Sequence, residues 1–150
     1  MKTLKHLTKL VLVLGLMSSG IFITSSKTEA AEGGWYKVTA GGTDCKARVY
    51  TDRTVYDKTQ KYVNAKIETQ GNCSRLYYDM GLSHAGLETA FHDMTSGYFS
   101  SSTPLKSLTI KQTMRGEKEN TFVHVQLFKN AAHTELAGQL FSADLTVHSR

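Results

Sequence analysis

The side chains best suited to chemistry lie in the segment 81–97, GLSHAGLETAFHDMTSG, where His84, Glu88 and His92 are spaced four residues apart. Imidazole and carboxylate groups bind zinc, and each ligand must lie about 2 Å from the ion. In a helix the two histidines would be about 12 Å apart along the axis, because each residue rises ~1.5 Å. One ion therefore cannot bind both histidines, and the three residues are weak metal candidates. We expect no bound metal and no other cofactor.

A catalytic site in this region would lack a recognisable motif. The sequence contains neither the H-E-x-x-H zinc motif nor a G-x-S-x-G nucleophile turn. However, 83–104 is the longest connection between predicted strands, and long connections on rigid sheets often carry binding and catalytic groups. A small secreted hydrolase or metal-dependent enzyme that uses this loop is therefore an alternative hypothesis, with its catalytic residues unknown.

The local pattern of 83–97 favours one short helix or a long loop. Ser83 is a suitable N-cap residue, and Gly97 is a suitable residue beyond the C-terminus. An apolar stripe at helical spacing lies between them, formed by Leu87, Phe91 and Met94. The histidines and Glu88 would then form a polar stripe beside it.

The N-terminus has the organisation of a bacterial signal peptide. Three lysines in MKTLKHLTK precede an apolar run, which ends before the small-residue segment TEAA. The run is too short, and too interrupted by serine and glycine at 18–20, for a membrane span of roughly 20 residues. We therefore expect cleavage after Ala30 or Ala31, which makes 1–31 the signal peptide. The remaining 32–150 would be a single secreted, extracellular domain without a stable membrane anchor.

Removal of the signal peptide changes the charge of the protein. The full chain has 18 basic and 13 acidic residues. Four lysines and Glu29 leave with the signal peptide, so the mature chain keeps 14 basic and 12 acidic residues, a net charge of +2. This charge gives no support for nucleic-acid binding and little electrostatic help to an antimicrobial or toxin-like protein. We expect no nucleic-acid partner, and an antimicrobial or toxin-like function is a second alternative.

The mature chain contains two cysteines, Cys45 and Cys73. Paired thiols persist outside the cell, so we predict a disulfide between them, with a free thiol pair or an intermolecular bond as the alternatives. If the surrounding strands run up, down and up in one flat sheet, the two cysteines would be nearly 10 Å apart. A disulfide needs alpha carbons about 5.5 Å apart. The bond therefore favours strands that face each other across two layers, or a turn that folds back.

Alternating runs rich in Val, Ile, Thr, Tyr and Phe predict a mostly β domain. Residues 62–69 alternate between apolar and polar side chains, whereas 121–129 are apolar on both faces, which predicts a covered central strand with His124 at an interior or boundary position. The turn RGEKEN predicts a hairpin between 105–113 and 121–129, and 138–149 forms one further run. About seven such runs favour an antiparallel β-sandwich, Ig-like in the loose architectural sense.

Aromatic residues away from the predicted apolar faces form a second candidate site. They are Tyr77, Tyr98 and Phe99, with Trp35 near the new N-terminus. Such side chains offer a large contact area at low entropic cost, although aromatic residues also suit the core and edges of a sheet. We therefore expect a protein that acts by binding rather than by catalysis. It would be an extracellular protein-interaction or inhibitor module, or would bind a cell-envelope ligand.

Overall fold

The structure, a computed structural model, describes residues 29–84, 92–111 and 118–148. These residues form eleven strands and one short 3-10 turn, Thr39–Gly41. The strands are β1 (Ala31–Glu32), β2 (Tyr36–Lys37), β3 (Lys46–Thr51), β4 (Val55–Tyr56), β5 (Tyr62–Gln70), β6 (Leu76–His84), β7 (His92–Phe99), β8 (Lys106–Thr109), β9 (Lys118–Phe128), β10 (Leu136–Phe141) and β11 (Leu145–His148). No helix in the described ranges is long and apolar enough to cross a membrane.

The strands form two sheets around one core. Sheet A has the order β1-β3-β5-β8, and β2 also pairs with β3. Sheet B has the order β4-β11-β9-β6-β7, and β10 pairs with the second half of β9. Neighbouring described strands run antiparallel, except for the parallel pair of β4 and β11. The predicted β-sandwich is therefore confirmed, and β9 is the central strand that its sequence predicted.

Alternation along the strands explains why two layers form. In β3 and β5 every second residue is buried, as Val49 and Ile67 illustrate. In β6 and β9 the inward residues include Tyr78, Met80 and Val125. These side chains belong to one apolar cluster between the sheets, and its removal from water drives folding. The remaining residues of each strand lie on two outer faces, and the exposed side chains among them are accessible to a ligand.

The predicted disulfide joins the two layers. Cys45 precedes β3 of sheet A and Cys73 precedes β6 of sheet B, and their alpha carbons are 4.8 Å apart. The prediction of a bond across two layers is therefore confirmed. With a sequence separation of 28, the chain-entropy model gives a stabilisation of about 3 to 4 kcal/mol.

The segment 83–97 differs from the predicted helix or long loop wherever the structure describes it. Its beginning is the end of β6, and its last part belongs to β7, which pairs with β6 along most of its length. Pairing between strands outweighs a local helical pattern, because local propensity is a weak preference that tertiary contacts override. The interpretation of 83–104 as one long connection is therefore wrong. The part at 85–91 lies outside the described residues.

Two predictions about connectivity are also corrected. The strand β9 begins at Lys118, inside the predicted turn RGEKEN, and lies in sheet B, whereas β8 lies in sheet A, so the two strands are not hairpin partners. The run 138–149 divides into β10 and β11 because Ser142 interrupts it. Ser142 N donates to Val123 O at 2.9 Å, and Ser142 Oγ accepts from Val123 N at 2.9 Å. These two hydrogen bonds hold Ser142 against the backbone of β9. They lie at the point where the strand paired with β9 changes from β10 to β11.

Candidate functional site

The outer face of sheet B carries aromatic side chains from three neighbouring strands. Tyr77 of β6 points away from the core, because Leu76 and Tyr78 on either side of it are buried. The register places Tyr98 of β7 opposite Tyr77 on one side and Phe128 of β9 opposite it on the other. Residues directly opposite each other share a face of a sheet. The three rings therefore form a row across the sheet.

His133, in the turn after β9, completes this surface. Its ring stacks on Phe128 with 4.8 Å between centroids and lies 6.2 Å from the ring of Tyr77. Tyr77 and Tyr98 are also 6.2 Å apart. Aromatic pairs at such separations stabilise by about 0.5–1.5 kcal/mol beyond the area they bury. We call Tyr77, Tyr98, Phe128 and His133 the aromatic patch.

Charged groups beside the aromatic patch have close partners. His133 Nδ1 lies 2.9 Å from Asp79 Oδ1, and the Ser96 hydroxyl donates to the same oxygen at 2.5 Å. The Arg75 guanidinium lies over Tyr98, 4.7 Å from the ring centroid. The patch therefore presents the rings of Tyr77, Tyr98 and His133 next to hydrogen-bonding groups, whereas Phe128 is 7% exposed and supports His133 from beneath.

The turn that carries His133 is held by its own hydrogen bonds. Asn130 Nδ2 donates to Thr134 Oγ1 at 2.8 Å, and Thr134 N donates to Asn130 Oδ1 at 3.0 Å. His133 itself has a φ of 54°, in the left-handed region that residues other than glycine rarely adopt. Such a conformation costs about 1–3 kcal/mol and persists where surrounding contacts hold it. The turn and the ring contacts together fix the orientation of His133.

Polar side chains and a second aromatic group continue along the same face. The register places Gln126 of β9 between Asp79 of β6 and Gln139 of β10. Carboxylate and amide groups accept hydrogen bonds, and the amides also donate them.

An open cleft of about 440 Å³ begins beside Tyr98 and is bordered by the 100–104 connection. The surface available to a ligand therefore extends beyond the four rings.

The second aromatic group surrounds His124. Phe141 of β10 stacks on His124 with 4.7 Å between centroids, and it meets Phe122 edge-on at 5.8 Å. Burial lowers the pKa of His124, although a hydrogen bond with Gln139 acts in the opposite direction. The predicted interior or boundary position of His124 is therefore confirmed.

The structure separates the four aromatic residues that were predicted to bind a partner. Tyr77 and Tyr98 meet in the aromatic patch, and Tyr98 is 61% exposed. Phe99 is 3% exposed and packs on Tyr78 in the core, so the prediction that it lies away from the apolar faces is wrong. Adjacent residues of a strand point to opposite faces, which explains the difference between Tyr98 and Phe99. The fourth predicted residue, Trp35, lies apart from the other three and contacts Arg48 of sheet A.

Trp35 belongs to a charged network on the outer face of sheet A. The Arg48 guanidinium lies 4.6 Å from its ring centroid and pairs with Glu32 at 2.6 Å and with Glu68 at 2.7 Å. Lys66 also pairs with Glu68 at 2.9 Å. The hydrogen bond from Lys66, with that from Arg48, lowers the pKa of the Glu68 carboxyl. A binding role for Trp35 stays a prediction.

The weak metal candidates are only partly described. His84 Nδ1 lies 2.5 Å from Glu119 Oε1, a contact that joins β6 and β9. His92 is the first residue of β7, and Glu88 lies outside the described residues. In the part of the chain that the structure describes, no three His, Cys, Asp or Glu side chains are grouped closely enough to hold a metal ion.

Two members of the aromatic patch, Phe128 and His133, were absent from the predicted binding residues. The apolar pattern of 121–129 on both faces already placed Phe128 on the same side as His124, so a signal for it was present. No pattern marks His133, because it lies in a turn and meets Phe128 only when the chain is folded.

The fold defines this protein as a two-sheet β-sandwich. The chain belongs to the YqgA MG2 macroglobulin domain family, whose model matches residues 28–148 and so includes every strand described above. It is also similar to the cell wall-binding protein YqgA of Bacillus subtilis (strain 168). The two sequences are 34% identical over 123 residues, which cover 81% of this chain and 84% of that protein.

Proposed function

We propose that the protein is a secreted binding module of the bacterial cell envelope and that the aromatic patch holds the saccharide part of the cell wall. The observation that carries the proposal is the row of rings across sheet B, which ends at the exposed Tyr98. The name of the Bacillus subtilis relative, a cell wall-binding protein, supports the envelope as the place of action.

The chemistry of the aromatic patch suits a sugar ring. The C–H faces of a pyranose are apolar and pack on aromatic rings, which supply contact area with few rotatable bonds. The Asp79 carboxylate and the Gln126 amide supply hydrogen-bonding groups for hydroxyl and acetamido substituents. Because the turn and Asp79 already hold His133, little side-chain entropy is lost when a ligand binds.

Export would bring the protein to this ligand, and we propose that an N-terminal signal segment, ending at Ala30 or Ala31, directs it. The carbonyl of Ala31 in β1 accepts a hydrogen bond from Thr51 Oγ1 at 3.3 Å, and Ala31 is buried. Cleavage after Ala30 preserves these contacts, whereas cleavage after Ala31 removes them. Of the two positions that the sequence allows, the first therefore suits the fold better.

Tyr98→Ala tests the proposed binding surface, because Tyr98 is exposed and its truncation leaves no cavity in the core. Tyr62→Ala is the matched control, since Tyr62 is 49% exposed and lies on the outer face of sheet A. We expect Tyr98→Ala to weaken co-sedimentation with purified cell walls about tenfold or more, as for an aromatic hot spot. Tyr62→Ala should bind as the wild type does. Equal binding by the two variants would exclude the aromatic patch.

The enzyme alternative and the antimicrobial or toxin-like alternative stay predictions. Incubation of the protein with purified cell walls also distinguishes a binding module from an enzyme. A binding module leaves the walls intact, whereas release of soluble sugar or peptide during a long incubation would favour the hydrolase.

A further inference from the structure

Two lysines face each other on the outer side of sheet A. Lys37 of β2 is the register partner of Lys46 of β3, and both side chains are exposed. Like charges directly opposite each other on a sheet destabilise it. Within the described residues, neither lysine takes part in a salt bridge. An anionic ligand between them would remove the repulsion.

The two lysines border an open cleft of about 370 Å³. Its other lining residues are Thr43, Asp44, Gln70 and Gly71. We call this site the lysine cleft. Two ammonium groups against one carboxylate leave it positively charged, and the hydroxyl and amide groups add hydrogen-bond donors.

The backbone around the lysine cleft is fixed before any ligand binds. Cys45, directly before Lys46, is bonded to Cys73. Gly71 has a φ of 78°, and a Cβ at this position would lie 2.2 Å from Asp44 O. Glycine is therefore required where the end of β5 contacts the loop before β3. A site built on such a scaffold loses little conformational entropy on binding.

We propose that the lysine cleft binds the phosphate groups of an anionic, phosphodiester-linked polymer of the cell wall. Each lysine supplies a point charge that suits a phosphate, and Thr43 and Gln70 donate to the remaining phosphate oxygens. The inference goes beyond the proposed function. The lysine cleft lies on sheet A and takes a charged ligand, whereas the aromatic patch lies on sheet B and takes a saccharide.

Binding of the mature protein to immobilised poly(glycerol phosphate) tests this site. The double variant Lys37→Gln/Lys46→Gln is compared with Lys58→Gln, which removes an exposed lysine from the turn between β4 and β5. We expect the double variant to bind roughly 10- to 30-fold more weakly and Lys58→Gln to bind as the wild type does. Added salt should weaken the wild type more than the double variant. Unchanged binding by the double variant, or an equal loss in Lys58→Gln, would overturn the proposal.

Folding is measured on the same samples. Because the double variant removes two opposed like charges, it should unfold at the same denaturant concentration as the wild type or at a higher one. A lower midpoint together with lost binding would assign the effect to unfolding and overturn the site.

Two further comparisons separate the lysine cleft from the aromatic patch and phosphate from carboxylate. Tyr98→Ala should bind poly(glycerol phosphate) as the wild type does. The phosphate-binding result can therefore be interpreted even if the saccharide proposal fails. An equal loss in Tyr98→Ala would overturn the separate site. Polygalacturonate carries carboxylates and should bind more weakly than the phosphate polymer. Equal binding would overturn the assignment to phosphate.

Discussion

His133 shows at the scale of single residues how the aromatic patch is held together. Its ring stacks on Phe128, its Nδ1 pairs with Asp79, and its backbone adopts the left-handed conformation. Each of these contacts restricts the His133 ring, so its orientation is set before a ligand arrives. A rigid aromatic surface of this kind binds at a lower entropic cost than mobile side chains would.

The buried His124 leads to a prediction about acid stability. Burial lowers the pKa of His124 below the ordinary value of about 6.5. His124 therefore binds a proton less readily in the folded protein than in the unfolded chain. As the pH falls through about 6.5, the unfolded state binds more protons than the folded state, and the free energy of unfolding decreases. His124→Phe removes this titration and keeps an aromatic ring against Phe141.

We expect the free energy of unfolding, measured by urea denaturation from about pH 7.5 to about pH 5, to fall more in the wild type than in His124→Phe. Equal decreases in the two proteins would show that His124 does not contribute to the acid sensitivity.

At the scale of strands, register decides which side chains meet on the outer face of sheet B. A shift of one residue between β6 and β9 would turn Tyr77 toward the core and expose Leu76 and Tyr78. Burial of these two side chains therefore selects the register that also aligns Tyr77 with Phe128. The core and the aromatic patch depend on the same pairing.

The strands that could be predicted from the sequence are those with a clear local pattern. The alternation of 62–69 predicted β5, and the pairing of two cysteines predicted contact between the layers. The strand β7 was missed, because apolar residues before and within it have helical spacing and its pairing with β6 is a tertiary contact. Similarly, Tyr77 and Tyr98 were recognised singly, but their meeting with His133 depends on two strand pairings and a turn.

The disulfide between the layers leads to a prediction about stability. Replacing both cysteines, in Cys45→Ala/Cys73→Ala, removes the constraint on the unfolded chain. We expect the free energy of unfolding in urea to fall by about 3 kcal/mol, while the circular dichroism spectrum in buffer stays that of a β protein. The oxidised wild type is the reference, and an unchanged unfolding midpoint would contradict a structural role for the bond.

At the scale of the whole molecule, the two sheets present two different surfaces on opposite sides. The aromatic patch lies on the outer face of sheet B, and the lysine cleft lies on the outer face of sheet A. If both contact the same wall, the second contact becomes intramolecular once the first has formed, and the overall affinity exceeds that of either surface. This arrangement suits a small domain whose net charge gives little attraction by itself.

The central claim is that sheet B, through the aromatic patch, holds wall saccharide. The most direct test is an NMR titration of the isotopically labelled mature protein with soluble glycan fragments of purified cell wall. We predict that backbone amide shifts change in β6, in β7 and around His133, and that those of the outer face of sheet A, including Tyr62, stay constant. Shift changes centred on sheet A, with none around Tyr77, Tyr98 and His133, would contradict the account.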